Sequence, residues 1–309
     1  MLSLNKPLGG VLPVIQTPFT VDGEIDEVAL VRELAWVREQ GVAGYVTGMV
    51  SELLRLEGAE RMQLAEIVTA EARRYGLTSI ISAGAESTRA AVAHARHAER
   101  AGADAVMVNP PVTASLDDEG LRQYYTAIID GVDIPVVVQD ASGYVGRSIS
   151  IELQAELLRS FGGQVYFKPE ASPIGPRLSL LREATGAEAR VFEGTGGISL
   201  IDSHRRGIVG TMPGAEVCWA IQAMWEALES GDDDRAYSIN GPLSAMISMQ
   251  TTIDVFVAVE KHLLHQQGVL DSTAVRGPSG FVLDDETTAE VDRLFRRLKS
   301  AVEGASVLR

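Results

Sequence analysis

The residues best suited to chemistry lie in Val165-Tyr166-Phe167-Lys168-Pro169-Glu170. Aromatic and β-branched residues favour a strand, and Pro169 marks where regular pairing stops. A lysine among such neighbours is costly to bury as an ammonium ion. A buried amine with a lowered pKa attacks a carbonyl carbon, which is Schiff-base chemistry. The chain is rich in arginine, and its lysines are Lys6, Lys168, Lys261 and Lys299. Lys6 belongs to the N-terminal tail, while Lys261 and Lys299 fall in stretches that read as polar-faced helix. Only Lys168 falls in a strand. The competing reading is a lysine that snorkels to the surface or merely pairs with Glu170.

The elements that must position Lys168 follow a regular order. Short apolar runs at 11–17, 45–47, 78–83, 105–108, 135–139, 165–169, 190–193 and 208–212 read as strands. Helical patterns separate them at about 26–40, 58–75, 88–101, 117–130, 151–160 and 173–185, with Asp26 and Ser87 as N-caps. Continuously apolar strands alternating with helices indicate a parallel sheet covered by helices. Eight such steps predict an α/β fold, a (β/α)₈ TIM barrel; a doubly wound open sheet fits the even spacing less well. After Glu216 the strand signals stop. Residues 218–228, 234–266 and 286–303 read as helices, so a barrel over 1–225 with a C-terminal helical region over 226–309 is expected. In such barrels chemistry gathers at the C-terminal strand ends. Here these are the Gly48–Glu52 loop, Asn109-Pro110, Gln139-Asp140, Lys168, Glu193-Gly194 and Thr211-Met212.

Composition narrows the partners. The chain has 309 residues, 46% hydrophobic and 22% charged, enough for a large core. A formal net charge of -15 repels phosphate backbones, so nucleic acid is not an expected partner. A single cysteine, Cys218, leaves no internal disulfide and no Cys-based zinc site. No apolar run approaches the ~18 residues of a membrane span. Met1 to Pro7 lacks an apolar core followed by a cleavage site and does not read as a signal peptide, so the cytoplasm is the expected compartment. His94 with His97, and His262 with His265, share helix faces, but no cluster of acidic partners accompanies them in sequence. They read as surface or packing histidines, and no metal is expected.

With these residues in view, the chain from about Gly10 to Leu298 resembles the dihydrodipicolinate synthase/N-acetylneuraminate lyase family. The resemblance rests on Thr17-Pro18-Phe19, Gly48 with Ser51-Glu52, Glu60-Arg61 and Ala101-Gly102-Ala103-Asp104. It continues through Phe167-Lys168-Pro169-Glu170 and Arg206-Gly207-Ile208-Val209-Gly210. It implies a barrel with a C-terminal helical region, a homotetramer, no cofactor, and a Schiff base between Lys168 and a small-molecule 2-keto acid such as pyruvate. This chain departs from the family pattern at several positions. Met49-Val50 replaces the threonines of the carboxylate loop, and Gln139 stands where a catalytic tyrosine is usual. Pro111-Val112 replaces the synthase's second tyrosine. Tyr144 replaces its substrate arginine, with Arg147 out of register. The branch of L-2-keto-3-deoxyarabonate dehydratases is similar at Ser51-Glu52, Val138-Gln139-Asp140-Ala141 and Tyr166-Phe167-Lys168.

The resemblance implies condensation of Lys168 with the C2 ketone of a 2-keto-3-deoxy sugar acid. From the shared enamine, loss of the C4 hydroxyl gives dehydration, and cleavage of C3–C4 gives pyruvate and an aldehyde. Lys168, Gln139 and Ser51 are the candidate catalytic residues. Met49, Val50, Ser51, Gly194 and Val209 are the candidate substrate-binding residues. The amides of Val50 and Ser51 offer N–H groups to a carboxylate. Ser51 reads equally as a helix-entry serine. Gln139 can bond an oxygen but cannot act as acid or base. Glu170 reads as a tuner of Lys168, as a base, or as the structural partner of an arginine. Glu52 reads as structural, bonding loop amides. Gly194 allows close approach of backbone or substrate. A catalytically silent keto-acid-binding barrel is the alternative of another class.

Overall fold

The computed structural model describes residues 7–143 and 147–304. Tyr144 therefore lies outside the described residues. Eight parallel strands close into a ring: β1 (Gly10–Val11), β2 (Gly44–Val46), β3 (Thr78–Ser82), β4 (Ala105–Val108), β5 (Val136–Asp140), β6 (Val165–Pro169), β7 (Phe192–Glu193) and β8 (Gly210–Thr211). Pairing runs from β2 through β6 and from β7 through β8 to β1. Parallel bridges Val14↔Val46 and Phe167↔Val191 join the two runs, so no edge is left open. This is the expected (β/α)₈ barrel.

Three strands are shorter than their apolar runs by two residues or more. Pro13 cannot donate to a ladder and interrupts β1. Hydrogen bonding resumes beyond it, where the Val14 N–H donates to the Pro213 carbonyl at 2.7 Å and the Ile15 N–H to the Val46 carbonyl at 2.9 Å. The runs at 190–193 and 208–212 likewise keep regular pairing only at 192–193 and 210–211.

Helices α1 (Glu27–Glu39), α2 (Gly58–Tyr75), α3 (Thr88–Ala101), α4 (Asp118–Ile129), α5 (Ile151–Phe161), α6 (Ile174–Ala184), α7 (Leu200–Arg205) and α8 (Cys218–Ser230) surround the strands. Asp26, Ser87, Asp117 and Ser150 each accept an amide hydrogen bond at a helix start, removing an orphan donor. Residues 225 and 226 both lie in α8, so the C-terminal helices continue directly from the barrel's last helix. They are α9 (Asp233–Ile247), α10 (Ile253–Gln266) and α11 (Asp285–Glu303). The single helix expected over 234–266 is broken at 248–252. Thr252 takes up extended backbone, accepts the Val255 N–H and starts α10 afresh.

Two apolar layers follow from strand alternation. Val137, Tyr166, Phe192 and Met212 point into the barrel, whereas Val136, Val138, Val165 and Phe167 pack outward against the helices. The Tyr166 and Phe192 rings stack with centroids 5.9 Å apart. Lys168 and Glu170 share the parity of Tyr166, and Gln139 that of Val137. All three are therefore directed inward, above this apolar floor.

Candidate active site

Lys168 and Gln139 are register partners on β6 and β5. The Lys168 Nζ lies 2.9 Å from Glu170 Oε1. The Gln139 Nε2 donates to both Glu170 oxygens, at 3.1 and 3.3 Å. Lys168 and Glu170 are each 5% exposed and Gln139 2%. Burial raises the Glu170 carboxyl above the ordinary carboxylate range, against the attraction of Lys168 and the hydrogen bonds from Lys168 and Gln139. Glu170 is thus the partner of the lysine, and the expected arginine pairing is not what the structure places there. With its amide nitrogen spent on Glu170, Gln139 keeps an unpartnered Oε1 for a substrate hydroxyl.

These groups face a cavity also lined by Val14, Gly48, Met49, Val50, Gly194, Met212, Gly214, Phe256 and Glu260. Met49, Val50 and Gly194 are therefore brought to Lys168 as expected. A Cβ at Gly194 would lie 2.8 Å from both Lys168 Cε and Glu170 Oε1, so no side chain fits beside the pair.

Ser51 and Val209 are placed differently. Ser51 is fully buried in the turn after β2. Its hydroxyl donates to the Ile15 carbonyl and accepts the Gly48 N–H at 3.0 Å. Its own N–H donates to the Gly48 carbonyl at 2.9 Å. Hydroxyl and amide are both committed to shaping the turn, and Ser51 does not line the cavity. Val209 precedes β8, at the N-terminal end of the strand, where its carbonyl accepts the Gly10 N–H at 2.9 Å. The residue that β8 contributes to the cavity is Met212, at the other end.

Lys261 also departs from its expectation. It is 0% exposed rather than on a polar face. Its Nζ donates to Glu52 Oε1 at 2.5 Å, to the Thr17 carbonyl at 2.8 Å and to the Ala274 carbonyl at 2.7 Å. Burial lowers its pKa, and the charge of Glu52 opposes that shift. Glu52 accepts the Arg276 N–H at 2.7 Å with its other oxygen, which makes it structural. Three of the paired histidines have protein partners: His97 meets Glu66 at 3.1 Å, His262 meets Asp292 at 2.8 Å, and His265 meets the Leu270 carbonyl at 2.9 Å.

Sequence reading missed Glu260. It comes from α10, is 1% exposed and reaches the cavity. The signal was present. Glu260 follows Phe256 by four residues and precedes Leu263 by three, which puts it on a buried stripe. Lys261 stands in the same relation to Val257 and Leu264.

The comparisons agree with this geometry. The Dihydrodipicolinate synthetase family model matches residues 7–297. A 4-hydroxy-tetrahydrodipicolinate synthase of Rhizobium meliloti is 28% identical over 299 residues, covering 93% of this chain and 97% of that one. An L-2-keto-3-deoxyarabonate dehydratase of Azospirillum brasilense is 26% identical over 298 residues, covering 95% of each. The crystal structure of a dihydrodipicolinate synthase from Rhodopseudomonas palustris superposes with a TM-score of 0.84 at 27% identity, covering 94% of this chain and 98% of that one. The fold and the buried lysine define a class of barrel lyases and aldolases. The chain belongs to the dihydrodipicolinate synthetase family within that class. Among the described residues no helix is long and apolar enough to cross a membrane.

Proposed function

We propose that this chain dehydrates a 2-keto-3-deoxy sugar acid, with L-2-keto-3-deoxyarabonate as the expected substrate. The observation that carries the reading is the partner of Lys168. It is a buried carboxyl steadied by an amide, and no described tyrosine lines the cavity. Synthase chemistry, as the family resemblance describes it, runs through side-chain hydroxyls, and none lines the cavity among the described residues. The whole-length similarity to a dehydratase supports the same reading.

The steps follow from the pair. Lys168 gives its ammonium proton to Glu170, whose carboxyl is raised by burial and so takes up a proton more readily than an ordinary carboxylate. The free amine attacks C2 of the keto acid. Glu170 returns the proton to the carbinolamine oxygen, which leaves as water, and an iminium remains. The iminium draws electrons from the C3–H bond. Glu170, now a carboxylate beside it, takes that proton and leaves an enamine. The C4 hydroxyl takes up a proton and leaves as water. Loss of a C5 proton and return of the Glu170 proton to C3 give a C5 enol that tautomerises to the aldehyde, and hydrolysis frees Lys168 and the semialdehyde. The Val50 amide stands ready for the substrate carboxylate, and Gln139 Oε1 for a hydroxyl.

An aldolase is the second reading, favoured by the relatives named as synthases. Borohydride trapping with pyruvate and with L-2-keto-3-deoxyarabonate, followed by peptide mapping and product analysis, separates the readings. The expected result is an adduct on Lys168, absent from Lys168→Ala, together with a semialdehyde and no pyruvate. Pyruvate plus an aldehyde would replace the dehydratase by an aldolase. No adduct and no turnover across a panel of 2-keto-3-deoxy acids would leave a keto-acid-binding barrel. We also propose a cytoplasmic homotetramer on the strength of the family resemblance, and sedimentation showing only monomers at micromolar concentration would count against it.

A further inference from the structure

Three glutamates from three different elements meet beside the cavity. Glu33 comes from α1, Glu216 from the turn before α8 and Glu260 from α10, and none is more than 1% exposed. Gln16 ties two of them together. Its backbone N–H donates to Glu33 Oε1 at 2.8 Å, and its side-chain amide donates to Glu260 Oε2. Gly214 lines the cavity, and a Cβ there would lie 2.3 Å from Glu216 Oε2 and 2.8 Å from Glu260 Oε1. The two carboxyls therefore crowd the same stretch of backbone. Both Glu216 oxygens, Glu33 Oε2 and Gln16 Oε1 are buried without a hydrogen-bond partner.

So much unpaired carboxylate is untenable in a dry interior. Among the described residues no group of three or more such side chains has the geometry to hold a metal ion. The charges of Lys261 on Glu33 and of Lys168 on Glu260 are outweighed by burial, so protons supply the remaining counter-charge. A neutral carboxylic acid gains an O–H donor, and such donors are what the unpartnered oxygens lack. Burial, reinforced by the charge of Glu216, drives the Glu260 carboxyl well above its ordinary range. Burial also raises Glu216, and it raises Glu33 to about 8.

We propose that Glu260 is the acid of the active site, donating the proton on which the C4 hydroxyl leaves, with Glu33 and Glu216 behind it keeping that proton in place. This deepens the dehydratase reading and rests on it. Glu170 and Glu260 then divide the work: one takes the C3 proton and the other protonates the leaving oxygen. As the enamine electrons move to form C3=C4, the C4–O bond breaks and water departs with Glu260's proton. The Glu260 carboxylate recovers a proton from C5, giving a dienamine. Glu170 returns its proton to C3, the resulting C5 enol ketonises, and hydrolysis releases the semialdehyde. Atoms balance as loss of one water.

The test is Glu260→Gln, which keeps shape and amide bonding but cannot donate an acidic proton. Three readouts are compared with wild type: dehydration of L-2-keto-3-deoxyarabonate, dehydrohalogenation of its 4-deoxy-4-fluoro analogue, and borohydride trapping of pyruvate on Lys168. Fluoride leaves as an anion without prior protonation, so the analogue bypasses the acid. The expected result is a loss of about 100-fold or more on the hydroxy substrate. The loss on the fluoro analogue is expected to stay under about tenfold, with the pyruvate adduct retained. Equal losses on both substrates, or loss of the pyruvate adduct, would assign Glu260 to the frame of the site and overturn its role as acid. Wild type that dehydrates, alongside a variant within about threefold of it, would overturn the acid alone. Wild type that forms the adduct but cleaves C3–C4, or forms no adduct, would overturn the dehydratase reading and this role with it.

Discussion

Lys168 and Lys261 each meet a glutamate inside the protein, at 2.9 and 2.5 Å, and both are buried. Their surroundings differ in what the ammonium group has left to do. Lys261 has three acceptors for its three protons: Glu52 and the carbonyls of Thr17 and Ala274. Removing a proton there would strand a buried acceptor, so the charge is held and the residue ties the β2 loop to the segment after α10. Lys168 has a carboxyl partner and an open cavity in front of it. Passing its proton to Glu170 costs no acceptor and exposes a lone pair to the space a substrate would fill. Burial beside a glutamate is common to both, and the count of acceptors separates a clamp from a nucleophile.

The largest expected break is Lys168→Ala. Turnover should fall by roughly 10⁴-fold or more, the scale for removing a covalent nucleophile. The melting temperature should stay close to wild type, because a Glu170 left alone can take up a proton. A large loss of stability would assign Lys168 the clamp's role. Lys261→Met should do the reverse. Removing one member of a buried pair costs about 3–5 kcal/mol, so urea denaturation should show a marked drop while the folded fraction still traps pyruvate on Lys168. Unchanged stability in that variant would refute the clamp. The partner glutamates sharpen the contrast with smaller effects. Glu170→Gln should lower kcat by about 10²- to 10³-fold as the C3 base is lost. Glu52→Gln should act mainly on stability, and a kcat loss as large as that of Glu170→Gln would erase the distinction.

The barrel was legible because apolar runs and helical patterns alternate along the chain, and because Gly, Asp and Ser mark the turns. The place of Lys168 near the end of a buried strand was legible from the aromatic and β-branched residues before it and from Pro169 after it. What escaped was of two kinds. Some of it depends on where a side chain spends its hydrogen bonds. Ser51 has the right type and position, yet its hydroxyl goes to Ile15 and Gly48, two partners no spacing rule names. Val209 sits in a matching motif but at the N-terminal end of β8, whereas the cavity lies at the C-terminal end, where Met212 lines it. The rest depends on which helix covers the mouth of the barrel. Lys261 was read as part of a polar-faced helix, and Glu260 beside it was not singled out at all. Packing of α10 over the cavity buries nearly the whole circumference of that helix.

An acid without a cation completes the comparison. Glu33 has no lysine of its own, only the Gln16 N–H and the more distant charge of Lys261, and burial raises its carboxyl to about 8. Its value in the unfolded chain is near 4.5. The folded state therefore binds this proton more tightly. The stability it contributes is fully present below pH 4.5 and is lost as pH rises through about 8. Each such proton tilts stability by at most about 1.4 kcal/mol per pH unit inside that window. Glu216 and Glu260, also raised by burial, tilt it in the same direction. Urea unfolding of the wild type should thus show stability falling from pH 5 to pH 8. Glu33→Gln keeps an oxygen for the Gln16 N–H but has no proton to lose, so its slope should be shallower and the variant should overtake the wild type towards pH 8. Parallel slopes for the two proteins would mean that Glu33 is ionised in the fold. A cation would then have to be sought beside it, which would make the third carboxyl site a clamp like the one at Lys261.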